Sequence, residues 1–178
     1  MIQLTWASLR PRKPVPGQGL LDPSVTRMRV HPGDLDLYLH VNNGSYLQMM
    51  DVARSNFIAD IDGFGKIGDR KWYPVVAAST MTYKRSLQLG DRFEITTRLL
   101  GWDERVVYIE QVFTGKGRLY ARGLVAGRFL GPGNARVPAP DVVALMGEDA
   151  PPRSPDLPDD VAAWARAVDV AHRDADRA

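Results

Sequence analysis

The chain has 178 residues, 23 basic against 21 acidic, a formal net charge of +2 and 44% apolar residues. That is one domain's worth of chain with enough apolar material for a core. It carries neither a one-signed field nor a run of five basic residues, which argues against a dedicated nucleic-acid binder. The absence of cysteine excludes a disulfide framework, a thiolate nucleophile and a thiolate metal site, and fits a reducing cytoplasm.

Residues 1–9 are too short and too polar for a signal peptide, and their positive charges follow the apolar part instead of preceding it. No stretch approaches the ~18 apolar residues of a membrane span. A soluble, cytoplasmic protein is therefore expected. Residues 10–23, with Pro11, Pro14, Pro16, Gly17, Gly19 and Pro23, read as an extended leader. Over residues 24–30, Val25, Arg27 and Arg29 alternate with Thr26, Met28 and Val30, the pattern of a half-buried strand.

The stretch from Asp34 to Asn43, Asp-Leu-Asp-Leu-Tyr-Leu-His-Val-Asn-Asn, concentrates two carboxylates, an imidazole and two consecutive amides. Asp and Asn compete with a strand's own hydrogen bonds, so this is material for a turn that ends at a helix start. Asn42 or Asn43 can cap that helix. The helix itself is expected over residues 45–61, with Tyr46, Leu47, Met50, Ala53, Phe57, Ile58 and Ile61 on one buried face. Gly63 and Gly65 supply its stop signals.

The second half switches to a period of two. Residues 72–85 are long enough for a central strand, and residues 92–100 alternate Phe93, Ile95, Thr97 and Leu99 with polar neighbours. Turns at residues 101–104 and 114–117 separate further strands over 105–113 and 119–130. One strand, one helix and a four-strand antiparallel meander make an α+β domain, with the helix wrapped by the sheet. One helix leaves the other sheet face and an edge strand uncovered, and dimerisation is the usual remedy. Seven prolines then break up residues 131–158, leaving room for a short helical piece at 142–146. A peripheral helix is expected over 161–172, packed on the sheet or on a partner, with residues 173–178 fraying.

Asp36, Leu37, Tyr38, Leu39, His40, Val41, Asn42 and Asn43, followed by Tyr46 and Arg54, resemble the Asp-x-x-Gly-His-Val-Asn-Asn-x-x-Tyr signature of hotdog-fold thioesterases. These are the proteins grouped with 4-hydroxybenzoyl-CoA thioesterase and, more distantly, the plant acyl-ACP thioesterases. Met81 to Arg85, Leu89 to Asp91, and Trp102 with Asp103 resemble the strand region after the helix in the same group. The wording around His40 is nearest to the branch called thioesterase superfamily member six. The resemblance spans residues 24–130, which divides the chain into a leader (1–23), a hotdog domain (24–130) and a proline-rich extension (131–178).

The resemblance implies hydrolysis of acyl-CoA thioesters by a homodimer or homotetramer, with coenzyme A entering as part of the substrate and no other cofactor. It places the catalytic carboxylate on Asp36, a further catalytic position on His40 and the oxyanion-binding amide on Asn43. Asn42 and Tyr46 are the expected substrate contacts. Three departures from the pattern are Tyr38, where the plant enzymes have Asn, Leu39, where many members have Gly, and the lack of an acidic residue from Val75 to Thr80, where the plant enzymes place another carboxylate. Read without the resemblance, Asp36 is equally an Asx-turn residue, His40 a hydrogen-bonded spacer, the two asparagines ordinary caps and Tyr46 a core residue. Neighbouring Leu35, Leu37 and Leu39 offer burial that would make an aspartate a better base. Arg54 is expected to pair with Asp51 or Asp62, and the few histidines make a zinc site improbable on composition. The alternative to an enzyme is a non-catalytic acyl-CoA or lipid binding module.

Overall fold

In the computed structural model the described residues are 12–147 and 150–175, excepting the side chains of 170–175. The readings made for residues 1–11 and for the last three residues lie outside them. Strand β1 (Ser24–Arg29) is followed by a 3-10 turn at Pro32–Asp34, the helices α1 (Asn43–Asp60) and α2 (Gly63–Asp69), and strand β2 (Tyr73–Tyr83). Strands β3 (Arg92–Trp102), β4 (Val107–Gly115) and β5 (Arg118–Leu130) come next. A two-residue strand β6 (Arg136–Val137) and the helices α3 (Ala139–Met146) and α4 (Asp159–Ala175) complete the described chain.

The sheet is antiparallel in the order β1-β3-β4-β5-β2, with β6 beside β5. Only β3, β4 and β5 form the expected meander. β2 pairs with β5, not with its sequence neighbour β3, so the strand expected at the centre sits at an edge. Its burial agrees: Tyr73 and Tyr83 are exposed, and so is Val76. A run of β-branched and aromatic residues fixes strand conformation, whereas its neighbours are decided by long-range packing.

α1 lies in the curl of the sheet. Burial extends beyond a single stripe, since Met49, Val52, Asn56 and Ala59 are buried as well as Tyr46, Met50, Ala53 and Phe57. Leu47, expected inside, is 42% exposed. Closeness between helix and sheet depends on Gly123 of β5, where an added Cβ would collide with the Met50 methyl and lie 2.7 Å from Met81 Sδ. The helix ends within a residue of the expected place, but by a different signal. Asp62 adopts a left-handed conformation (φ 54°) and Gly63 opens α2, so the two glycines sit inside a second helix.

α4 covers part of the sheet's outer face. Val161 and Ala165 pack with Val106, Tyr108, Leu124 and Ala126, and Trp164 meets the Tyr108 ring edge-on at 6.4 Å. The outer face is thus partly satisfied within the chain. The β2 edge has no strand beside it among the described residues.

Candidate active site

The Asp36 loop is built by its own backbone. The Asp36 amide donates to the His40 carbonyl (2.8 Å) and the Leu39 amide to the Asp36 carbonyl (3.1 Å). Asp36 Oδ1 accepts from the amides of Tyr38 (2.8 Å) and His40 (3.2 Å), an Asx-type turn. Its Oδ2 has no hydrogen-bond partner among the described residues. Leu39 is held at φ 59°, a conformation that glycine adopts without strain and that costs other residues on the order of 1–2 kcal/mol. The loop is anchored to the strand connection after β2: Val41 donates to the Leu87 carbonyl (3.1 Å), and His40 bridges to Gln88.

The full burial expected of the carboxylate is not found: Asp36 is half-buried among the described residues. Leu35 is half-buried, but Leu37, Tyr38 and Leu39 are 98%, 82% and 70% exposed. Three consecutive large apolar side chains in water form a prong with nothing to pack on. His40 is exposed, and its ring makes no hydrogen bond among the described residues.

Asn42 caps α1: its side chain accepts from the Gly44 amide at 2.8 Å, and its carbonyl accepts from Ser45. Asn43 is the first residue of the helix, so its amide has no carbonyl one turn earlier to bond. The positive end of the helix dipole adds to that unmet donor. Tyr46, read from the sequence either as substrate contact or as core, is 2% exposed. Its hydroxyl accepts from the Leu87 amide (3.3 Å), and its ring meets Tyr83 and Phe113 edge-on. Burial pushes this phenol above its ordinary pKa.

Farther along α1, a cavity of about 300 Å3 lies between the helix, the sheet and α3. Asp51, Arg54 and Ser55 supply its polar wall, while the rest is apolar, including Leu99, Val125 and Phe129. Pro74 and Val76 of the exposed edge strand also line it, so the cavity reaches the β2 edge. The lining of this cavity was not legible in the sequence, because its walls come from seven separate segments and consist mostly of ordinary core residues.

Arg54 pairs with Asp51, as expected, and also donates to Gln111 Oε1 at 2.7 Å. Gln111, fully buried on β4, in turn donates to the Met50 carbonyl (3.0 Å) and to Thr97 Oγ1 (3.1 Å). Burial lowers the guanidinium pKa, opposed by the Asp51 charge. The network holds a cationic head at the wall of an otherwise apolar space.

Among the described residues no group of three or more His, Asp or Glu is placed to hold a metal ion. None of their helices is long and apolar enough to cross a membrane. Two basic side chains of the sheet region are committed within the chain: Arg122 pairs with Glu110 and Asp160, and Arg85 donates to the Leu119 carbonyl.

Comparison with known proteins gives a consistent result. Protein THEM6 of Danio rerio is 39% identical over 111 residues, 62% of this chain and 55% of the relative. The chain thus spans about half the length of that relative. Long-chain acyl-CoA thioesterase FadM of Escherichia coli is 29% identical over 102 residues, 56% of this chain and 77% of that protein. The crystal structure of YbaW, a probable thioesterase from Escherichia coli, superposes with a TM-score of 0.63 at 24% identity. It covers 70% of this chain and 98% of its own, and it shows the hotdog fold. The model of the thioesterase-like superfamily matches residues 30–165. With three-quarters of its length matched and the same fold, the chain belongs to the thioesterase-like superfamily.

Proposed function

We propose that two copies of this chain pair along β2 and hydrolyse acyl-CoA thioesters, Asp36 of one copy serving the cavity of the other. The observation that carries this reading is the antiparallel course of α1 and β2 along an open sheet edge. The start of α1 lies beside the end of β2, where the Tyr46 and Tyr83 rings are 5.2 Å apart. The last turns of α1 lie beside its beginning, where Phe57 and Ile58 line the cavity together with Pro74 and Val76.

Antiparallel pairing of two β2 edges about a two-fold axis sets the Tyr83 end of one copy against the Tyr73 end of the other. The Asp36 loop of the second copy then faces the cavity of the first. The Leu37–Tyr38–Leu39 prong finds an apolar surface there, and the carboxylate gains the burial it lacks in one chain.

In this arrangement the acyl group occupies the cavity of one copy and the thioester carbonyl oxygen points at the Asn43 amide of the copy that supplies Asp36. That donor stabilises the charge that develops on the oxygen, a contribution on the order of 3 kcal/mol of barrier. Asp36 Oδ2 takes a proton from the attacking water, or itself attacks the carbonyl carbon, and the coenzyme A thiolate leaves. His40 stands on the same turn as a donor to the leaving sulfur. Asn42 and Tyr46 act through the helix, one by capping it and the other by fixing it to the Leu87 strand connection.

The experiment is thiol release from a panel of acyl-CoAs. Asp36→Asn should lower kcat/KM by roughly 10²–10⁴, and equal rates would remove Asp36 from the chemistry. A second reading, an acyl-CoA binding module, is favoured by the two amide bonds that already occupy Asp36 Oδ1. Calorimetric binding of acyl-CoA without any thiol release would support it.

A further inference from the structure

We propose that α3 is the end wall of the acyl cavity and that Met146, with Val142 and Val143, limits the acyl group to medium length. The inference rests on the thioesterase reading and adds a specificity element to it. Position along α1 orders the cavity. Asp51, Arg54 and Ser55 mark its polar end, and Ile61, ten residues beyond Asp51, marks the other. That is about 15 Å of helix.

α3 closes the Ile61 end. Met146 packs against the chain just past α1, where a Cβ added to Gly63 would lie 2.8 Å from Met146 Sδ. The three wall side chains are buried, at 2%, 4% and 5% exposure. The wall is also tied at both ends. The Ala139 amide donates to the Glu104 carbonyl (3.3 Å), and Lys66 Nζ donates to the Met146 carbonyl (3.1 Å). An anchored wall cannot retreat for a longer chain as a loose loop would.

Size follows from volume. A water molecule takes roughly 30 Å3 of liquid and a methylene group is of similar size, so a space of about 300 Å3 takes on the order of ten carbons. Each methylene added within that limit should raise kcat/KM about fourfold, the equivalent of one buried CH₂. Beyond it, further carbons meet α3 and the gain ends.

The test is kcat/KM for saturated acyl-CoAs from butanoyl to hexadecanoyl, measured on wild type, Met146→Ala and Val143→Trp. Wild type should rise to a maximum near decanoyl and then fall. Met146→Ala should move the maximum to a longer chain, and Val143→Trp to a shorter one. The two shifts in opposite directions separate a wall from general damage, which would lower all substrates alike. A profile whose maximum stays in place in both variants while wild type hydrolyses the series overturns the wall and leaves the thioesterase reading standing. Absence of hydrolysis of any member by wild type overturns both.

Discussion

Gln111 shows how one buried side chain ties the site to the core. It is fully buried, donates to the Met50 carbonyl and Thr97, and accepts from Arg54. Replacing it with leucine removes one hydrogen bond each from Thr97, the Met50 carbonyl and the half-buried Arg54 guanidinium, which keeps Asp51. Gln111→Leu should cost about 2–3 kcal/mol, or roughly 5–10 °C in Tm for a chain of this size. A melt within a degree or two of wild type would show that the network contributes nothing. Asp36 also carries a lesson in legibility. Both readings open in the sequence, Asx turn and reactive acid, are compatible with one geometry, because a carboxylate has two oxygens and the turn uses one. The exposure of Leu37 and Leu39 beside it was not legible, since alternation with leucines does not say whether those leucines have a partner.

The elements around the loop are held by charge as well as by packing. Asp91 accepts from the Gln88 amide (3.0 Å) and from Lys116 Nζ (2.8 Å), and its carbonyl accepts from Val30 (2.9 Å). It thus joins the strand connection that anchors His40 to both β1 and the β4–β5 turn. The Lys116 hydrogen bond, with the Gln88 amide next, holds the Asp91 carboxyl below its ordinary pKa of 3.8. A depressed carboxylate contributes stability that is complete above its unfolded pKa and is lost as pH falls through its folded pKa. The Tm gap between wild type and Asp91→Asn should therefore be full at neutral pH and close only below the ordinary aspartate range. A gap that stays constant through that acid range would contradict the role.

At the level of elements, β1 and β3 were legible, because each has one buried and one exposed face and hence strict alternation. β2 was misplaced for the same reason in reverse: its exposed edge position leaves a strand signal without any mark of its neighbours. The end of α1 was legible to within a residue, but its cause was not: a left-handed Asp62, and not a glycine, makes the break.

At the scale of the molecule, the described residues carry three unfinished features: an open β2 edge, an apolar prong at Leu37–Leu39 and an apolar cavity that reaches that edge. A two-fold pair through β2 completes all three together. The most direct measurement is therefore hydrolysis of decanoyl-CoA by co-expressed chains, one carrying Asp36→Asn and the other Val143→Trp. Each variant alone should be close to inactive on this substrate. If Asp36 serves the neighbour's cavity, random pairing gives half mixed dimers with one intact site each, and about a quarter of wild-type activity returns. Activity no greater than the sum of the two separate variants would contradict a site shared between copies.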